Sequence, residues 1–189
     1  MTRIAIIVGS TRPGRVGRQV ADWVAEHGRK RQDAEVEIVD VADFALPVFD
    51  EPHSPLMGMY EHEHTRAWSA KITEFDGYVF VTPEYNRSLP SALKNAIDYL
   101  YKEWNNKAAG FVAYGSTVSG ARAVEHLRLI GAALQLAGVR TQLNLSLVTD
   151  FESFTTFVPT ERHEATLAQL FTEVVAWAEA LAPLRAGQQ

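Results

Sequence analysis

The chain has 189 residues, 47% of them hydrophobic and 22% charged, the size and make-up of one globular domain over residues 1–189. A net charge of -5 argues against nucleic acid as a partner, and the absence of cysteine excludes disulfides, thiolate metal sites and cysteine nucleophiles. Met1-Thr2-Arg3 runs into an apolar stretch with no signal-peptide core, and no apolar run looks long enough to span a bilayer, so a cytoplasmic protein without membrane contact is expected.

Ile4 to Val8 is continuously apolar and reads as a strand buried on both faces. Gly9-Ser10-Thr11-Arg12-Pro13-Gly14-Arg15 breaks it. The first helix follows, with Val16, Val20, Trp23, Val24 and His27 on one face and Gly28 as its stop. In Glu35 to Asp40 acidic and apolar residues alternate, as in an edge strand with one wet side. Residues 41–62 contain Pro47, Pro52 and Pro55, and a connection of that length is usually a lid or a partner-binding loop. The second helix carries Trp68, Ile72 and Phe75 on one face.

Tyr78 to Val81 is a third apolar strand, stopped at Pro83 and followed by Glu84-Tyr85-Asn86-Arg87-Ser88. The third helix places Leu89, Leu93, Ala96, Ile97, Leu100 and Tyr101 on one face, with Ser88 as expected N-cap and Pro90 in the first turn. Ala109 to Tyr114 is the fourth strand and ends in Gly115-Ser116-Thr117-Val118-Ser119-Gly120. The fourth helix has two apolar stripes, Ala123, Leu127, Ile130, Leu134 and Leu129, Ala132, Ala133, Leu136. One stripe needs the sheet, the other a neighbouring helix or a second subunit. Thr141 to Thr149 alternates like an edge strand. A last helix, from about Glu161 to Leu181, buries Leu167, Leu170, Phe171, Val174, Trp177, Ala178 and Leu181, and Pro183 and Gly187 mark a loose tail.

Three wholly apolar strands flanked by two alternating ones, joined by right-handed crossovers, give the order 2-1-3-4-5. That is a flavodoxin-like α/β three-layer sandwich, a five-stranded parallel sheet with helices on both faces. Its switch point lies between strands one and three, where ligands of open α/β sheets bind. The loops there are Gly9 to Gly17 and Thr82 to Ser88.

The first loop feeds a helix N-terminus. Free backbone N–H groups and the helix dipole suit a phosphate, to which Ser10 and Thr11 add hydroxyls and Arg12 and Arg15 add positive charge. A P-loop is excluded because Arg15-Val16 stands where Lys-Ser/Thr is required, and the glycine spacing fails the dinucleotide pattern, so a nicotinamide nucleotide binds only transiently if it binds. In the second loop Tyr85 offers a ring for stacking and Asn86 a donor and an acceptor. Glu84 has three readings, a ligand acceptor, a cap for the third helix or a partner of Arg87, with a structural role favoured. The Gly115 to Gly120 turn lets backbone approach a flat ring and is not a nucleophile elbow. His53, His62 and His64 lack metal-ligand spacing, and His163 has no support as a base. A receiver domain would need an acidic cluster where Val8-Gly9-Ser10 stands.

Gly9-Ser10-Thr11-Arg12, Pro83-Glu84-Tyr85-Asn86 and Gly120-Ala121-Arg122 together resemble the NADPH-dependent FMN reductase family, which includes quinone, chromate and azo-dye reductases. The resemblance runs through nearly the whole chain. It implies FMN, with its phosphate on the loop Ser10, Thr11, Arg12, Pro13, Gly14, Arg15, Val16, Gly17 and its ring against Pro83, Glu84, Tyr85, Asn86 and Gly115, Ser116, Thr117. It implies hydride transfer from NADPH or NADH through the flavin to a small-molecule acceptor of the quinone, azo, chromate or free-flavin type, with no catalytic side chain and no metal. It also implies a homodimer or homotetramer. Arg15 stands where many members carry serine, and Ser119-Gly120-Ala121-Arg122 where many carry Gly-Gly-Ala-Arg. The alternative is an electron carrier or flavin-based sensor without turnover, against which the charged loop counts.

Overall fold

The computed structural model describes residues 1–187. Five parallel strands, β1 (Thr2–Val8), β2 (Ala34–Asp40), β3 (Gly77–Pro83), β4 (Lys107–Gly115) and β5 (Leu136–Ser146), lie in the order β2-β1-β3-β4-β5. This is the doubly wound, flavodoxin-like sheet. Side chains alternate across each strand. Ile4, Ile6, Val8, Val79 and Val81 pack under α1 (Gly17–Arg29) and α5 (Glu161–Ala186). Ala5, Ile7, Tyr78, Phe80 and Phe111 pack on the other face, under α2 (Glu63–Thr73), α3 (Ser91–Asp98) and α4 (Ala121–Ala133). Trp68 and Trp104 are buried there, and each indole N–H finds a carbonyl, Ala96 at 2.7 Å and Ile97 at 3.1 Å.

The register aligns the working edge. Val8 faces Val81 across β1 and β3, and the Gly9 amide continues the ladder to the Val81 carbonyl at 2.9 Å. Both switch-point loops therefore leave the sheet at the same level.

Several boundaries differ from the sequence reading. Gly28 lies inside α1, where a Cβ would meet Phe171 and Val36 at 2.8 Å, so it serves close packing and not termination. Trp23 and His27 on that helix are only partly buried. Ser88 does not cap α3, because Pro90 holds the N-cap position, and Leu100 and Tyr101 lie beyond the helix. β5 begins at Leu136 and ends at Ser146, with an irregular register at Ala109/Phe111 where the sheet passes under α5. Gly110 sits there, and a Cβ would meet Leu170 at 2.7 Å. Of the second stripe of α4, Leu129 is 73% exposed and Ala132 and Ala133 are also exposed, whereas Leu136 lies beyond the helix and packs against the core.

Trp177 is half exposed, and Pro183 lies inside α5, whose helix runs on to Ala186. α5 is long and apolar enough by composition to cross a membrane, contrary to the sequence reading. Its buried stripe, Leu167, Leu170, Phe171, Val174, Val175 and Ala178, instead covers β4 and β5. Residues after Ser146 fold into a small hairpin, β6 (Phe151–Glu152) and β7 (Thr156–Phe157), which has no sequence signal at two residues per strand. It is held to α1 by Gln19, whose Oε1 accepts from the Phe157 amide at 3.0 Å.

Lys107 opens β4 and is buried. Its ammonium caps the end of α2, donating to the Ile72 carbonyl at 3.1 Å, and to the Tyr78 hydroxyl at 2.9 Å. Burial, reinforced by repulsion from Arg185, pushes its pKa down to about 8. The unfolded chain thus binds more protons between about pH 8 and the ordinary lysine value, and stability rises with pH across that window. Urea unfolding at pH 8 and pH 10 should show the native chain gaining stability relative to Lys107→Met. An unchanged difference would contradict this placement of the amine.

Candidate functional site at the switch point

Arg12-Pro13-Gly14-Arg15 is a tight turn closed by the Arg15 amide on the Arg12 carbonyl at 3.1 Å. Proline second and a glycine at φ 70° third is the type II pattern. The turn lifts the chain into α1, whose N-terminus has Val16 at the N-cap position, no side-chain cap and no acidic residue in its first turn. The first N–H groups of that helix point at the loop with no side-chain acceptor. Ser10 is 1% exposed, and its hydroxyl accepts from the Arg12 amide at 3.4 Å and shares a 2.9 Å hydrogen bond with the Tyr85 hydroxyl across the switch point.

The two arginines differ. Arg12 is exposed and makes no side-chain hydrogen bond or ion pair among the described residues. Arg15 turns toward the end of β2, where its Nη2 pairs with buried Asp40 at 2.6 Å. Its Nε is buried without a partner. A ligand acceptor reaching that nitrogen would satisfy it, whereas nothing on this loop offers one. Donors, an unpaired cation and an orphaned N–H are what a phosphate monoester needs, and no carboxylate intrudes except Asp40, which is already matched to Arg15. The residues present fit FMN.

Sequence reading missed Tyr114. It is buried on β4, and its hydroxyl reaches the start of α1: a Cβ on Gly17 would lie 2.6 Å from it. Burial, with the neighbouring Tyr85, pushes this phenol well above its ordinary pKa, so it stays protonated. The signal was an aromatic beside Gly115 at a strand end, indistinguishable in sequence from a core residue. Gly17 is the small residue that makes room for it.

On the other side, Tyr85 to Ser88 is a two-residue hairpin turn, with reciprocal amide–carbonyl bonds of 2.9 and 3.0 Å. Asn86 (φ 49°) and Arg87 (φ 71°) are both left-handed, the type I′ pattern. Asparagine tolerates this, whereas arginine is strained by about 1 kcal/mol. Arg87→Gly should therefore stabilise the chain by about 0.5–1 kcal/mol, read as a rise in the denaturant midpoint at constant slope. A destabilised Arg87→Gly would mean that the side chain makes a contact that the turn geometry does not require. The turn leaves Tyr85 and Asn86 exposed at the mouth of the cleft. Ser88 bonds His126 on α4 at 2.8 Å.

Glu84 neither caps α3 nor pairs with Arg87. Its side chain is nearly buried, and its carboxylate takes the Arg122 amide at 3.2 Å, Arg122 Nε at 2.5 Å and Arg122 Nη2. It is the cap and ion-pair partner that holds the start of α4 against the β3 loop. Gly120 before it adopts φ 83°, and a Cβ there would meet Ala113 Cβ at 2.6 Å. Gly115 likewise lies against the Gly120 amide. Ser116 and Thr117 remain exposed on the same edge as Tyr85 and Asn86.

The 41–62 connection straps this edge. Asn95 on α3 donates to the Pro47 carbonyl at 2.6 Å and accepts from the Phe49 amide at 2.9 Å. Glu51 accepts from the amides of Glu61 and His62 at the start of α2. His62 and His64 turn to Asp50, which also receives the Tyr99 hydroxyl at 2.8 Å. These histidines fasten the strap. His163 is buried and completes the capping box of α5 with Thr160. A cavity of about 350 Å3, lined by Thr11, Ala42, Leu46 and Asn95 among others, separates the strap from the first loop.

The family model for NADPH-dependent FMN reductases matches residues 2–150. This chain belongs to the NADPH-dependent FMN reductase family. An NAD(P)H-dependent FMN reductase of Schizosaccharomyces pombe is 41% identical over 150 residues, covering 78% of this chain and 74% of that one. An NAD(P)H:quinone oxidoreductase of Solanum tuberosum is 35% identical over 138 residues, covering 71% and 69%. Among solved structures, the flavoenzyme NAD(P)H:(acceptor) oxidoreductase FerB of Paracoccus denitrificans superposes with a TM-score of 0.74 over 95% of this chain and 98% of that one. At 19% identity that match speaks for the fold. As a member of the FMN reductase family the chain is an FMN-dependent NAD(P)H oxidoreductase.

Proposed function

We propose that this reductase seats the FMN phosphate in the loop Ser10, Thr11, Arg12, Pro13, Gly14, Arg15, Val16, Gly17 and the flavin ring between Pro83 to Asn86 and Gly115 to Thr117. The observation that carries the assignment is the convergence on one helix N-terminus of uncapped amides, the Ser10 hydroxyl, unpaired Arg12 and the orphaned Arg15 Nε. When bound, the flavin supplies hydride acceptance and donation at its N5. The chain supplies binding and orientation. Arg12 and the α1 amides neutralise the phosphate. Glu84 contributes through its backbone, its carboxylate being spent on Arg122. Tyr114 fixes the depth of the phosphate loop from below, and Tyr85 closes the cleft from above.

The donor is NADPH or NADH, held transiently at the exposed edge. The acceptor is a small molecule of the quinone class, on the strength of relatives named as quinone oxidoreductases. The cavity between Thr11 and the strap is the natural place for part of either substrate. We place the enzyme in the cytoplasm as a single domain and a homodimer or homotetramer. In support of assembly, exposed Leu129 flanks an apolar groove between α3 and α4. Steady-state oxidation of NADPH and NADH with a benzoquinone tests the reading. Turnover that requires FMN supports it, and FMN-independent turnover would refute the seat.

A further inference from the structure

The strap and the first loop meet at one buried carboxylate. Asp40 ends β2 and is 3% exposed. Its two oxygens serve different elements. Oδ2 accepts from Arg15 Nη2 at 2.6 Å, on the loop proposed above to seat the phosphate. Oδ1 accepts from the Ala42 amide at 3.1 Å and so caps the short 3-10 turn Val41–Phe44 with which the strap begins. Arg18, the other cation near Asp40, is turned to Asp22 at 3.0 Å instead.

The turn that Asp40 caps is a wall of the cavity between strap and loop. Val41, Ala42, Ala45 and Leu46 line it from the strap and Thr11 from the loop. Ala45 closes the turn at φ 44°, in the left-handed region where a side chain crowds the backbone. Such a conformation persists only where its surroundings over-determine it. This segment is held by Asp40 at its start, by the Phe44 ring against Trp68 at 4.7 Å, and by Asn95 and Tyr99 on the Pro47 carbonyl at its end. Of these holds, Asp40 is the one that is also hydrogen-bonded to the first loop. A guanidinium carries five N–H donors on a rigid fork and can serve two anions by separate edges. Arg15 gives Nη2 to Asp40 and keeps Nε, which is buried without an acceptor.

We propose that Asp40 is a positioning residue that sets the strap wall of this cavity and, through Arg15, makes that setting depend on whether the phosphate loop is filled. The inference rests on the flavin seat proposed above. A phosphate monoester on the loop fixes Arg15 from its second edge, and Arg15 fixes the Asp40 carboxylate. The other oxygen of that carboxylate then holds Ala42 and the strained turn in the conformation that walls the cavity. The cavity is thus ordered by seating of the cofactor, and by linkage the ordered strap strengthens FMN binding by the same factor. Riboflavin, with the ring but no phosphate, does not engage this connection.

Amide hydrogen exchange of the full chain, read by mass spectrometry on peptides covering residues 41–46, tests the coupling without flavin, with saturating riboflavin and with saturating FMN. FMN should slow exchange there at least about fivefold, the low end of ordinary site-to-site coupling, and riboflavin should not. In Asp40→Asn the side-chain carbonyl still accepts from Ala42, but the charge that holds Arg15 is gone. FMN should then bind without slowing the 41–46 amides. A merely structural Asp40 would speed exchange by one factor in the free and loaded chains alike and leave the FMN-induced ratio as in the native protein, which would overturn the proposal. Equal slowing by riboflavin, or FMN bound to the native chain with no slowing, would overturn it too. Flavin fluorescence quenching on the same samples reports occupancy, so an absence of FMN binding is recognised as failure of the flavin seat itself, and of the coupling with it. If Asp40→Asn does not fold, Arg15→Gln, which keeps a donor for Asp40 without the cation, should show the same loss of slowing, and slowing that persists there overturns the proposal.

Discussion

Arg12→Ala lowers FMN affinity by roughly ten- to a hundredfold, the worth of one charge-assisted phosphate contact, and leaves riboflavin affinity unchanged. Arg12 is exposed and holds no other group among the described residues, so the thermal midpoint of the FMN-free chain stays where it was. Flavin fluorescence quenching measures both affinities on the same preparations. The weakening should itself shrink as salt is added, because the arginine lies at the solvent edge. Arg15→Ala is a different experiment. It also strips buried Asp40 of its partner, and so costs stability as well as ligand affinity. Equal loss of FMN and riboflavin in Arg12→Ala would move the phosphate elsewhere.

Glu84→Ala is expected to cost about 2–3 kcal/mol of stability, somewhat under the range for breaking a fully buried pair because Arg122 is a third exposed. The variant leaves Arg122 without its acceptor and the start of α4 without its cap. Tm should fall by roughly 4–12 °C in a chain of this length. The double variant Glu84→Ala with Arg122→Ala should lose less than the two single losses summed, since the second removal deletes a charge already orphaned. FMN affinity should fall less than in Arg12→Ala, through displacement of the neighbouring loops. Unchanged stability together with lost FMN binding would make Glu84 a ligand group and reverse the assignment.

The sheet order was legible because burial leaves its mark strand by strand. Ile4 to Val8 and Tyr78 to Val81 are apolar without interruption, whereas β2 alternates, and that contrast alone separates centre from edge. Boundaries were less legible where tertiary contacts override local signals. Gly28 looks like a helix stop but is a contact with Phe171. Pro183 looks like an end but sits inside α5. Ser88 looks like a cap, yet the type I′ turn needs it as the closing residue, which moves the cap position to Pro90.

At the proposed site, the first loop stood out through residue type, since arginines, hydroxyls and glycines gather there before a helix N-terminus. Which arginine is free did not. Arg15 is claimed by Asp40, and that pairing spans two strands. Glu84 followed the same logic, its partner Arg122 lying 38 residues away and not three residues on at Arg87. Tyr114 was invisible because a tyrosine ending a buried strand looks like any other core aromatic until the fold shows where its hydroxyl goes.

FMN bound at the switch-point edge is expected to work as a redox centre between NAD(P)H and a small acceptor. Anaerobic titration of the FMN-loaded chain with NADPH and with NADH, followed by a benzoquinone, tests it most directly. The flavin absorbance should bleach in proportion to the nucleotide added and return in full when the quinone follows. Tight FMN binding with absorbance that neither nucleotide changes would contradict the account.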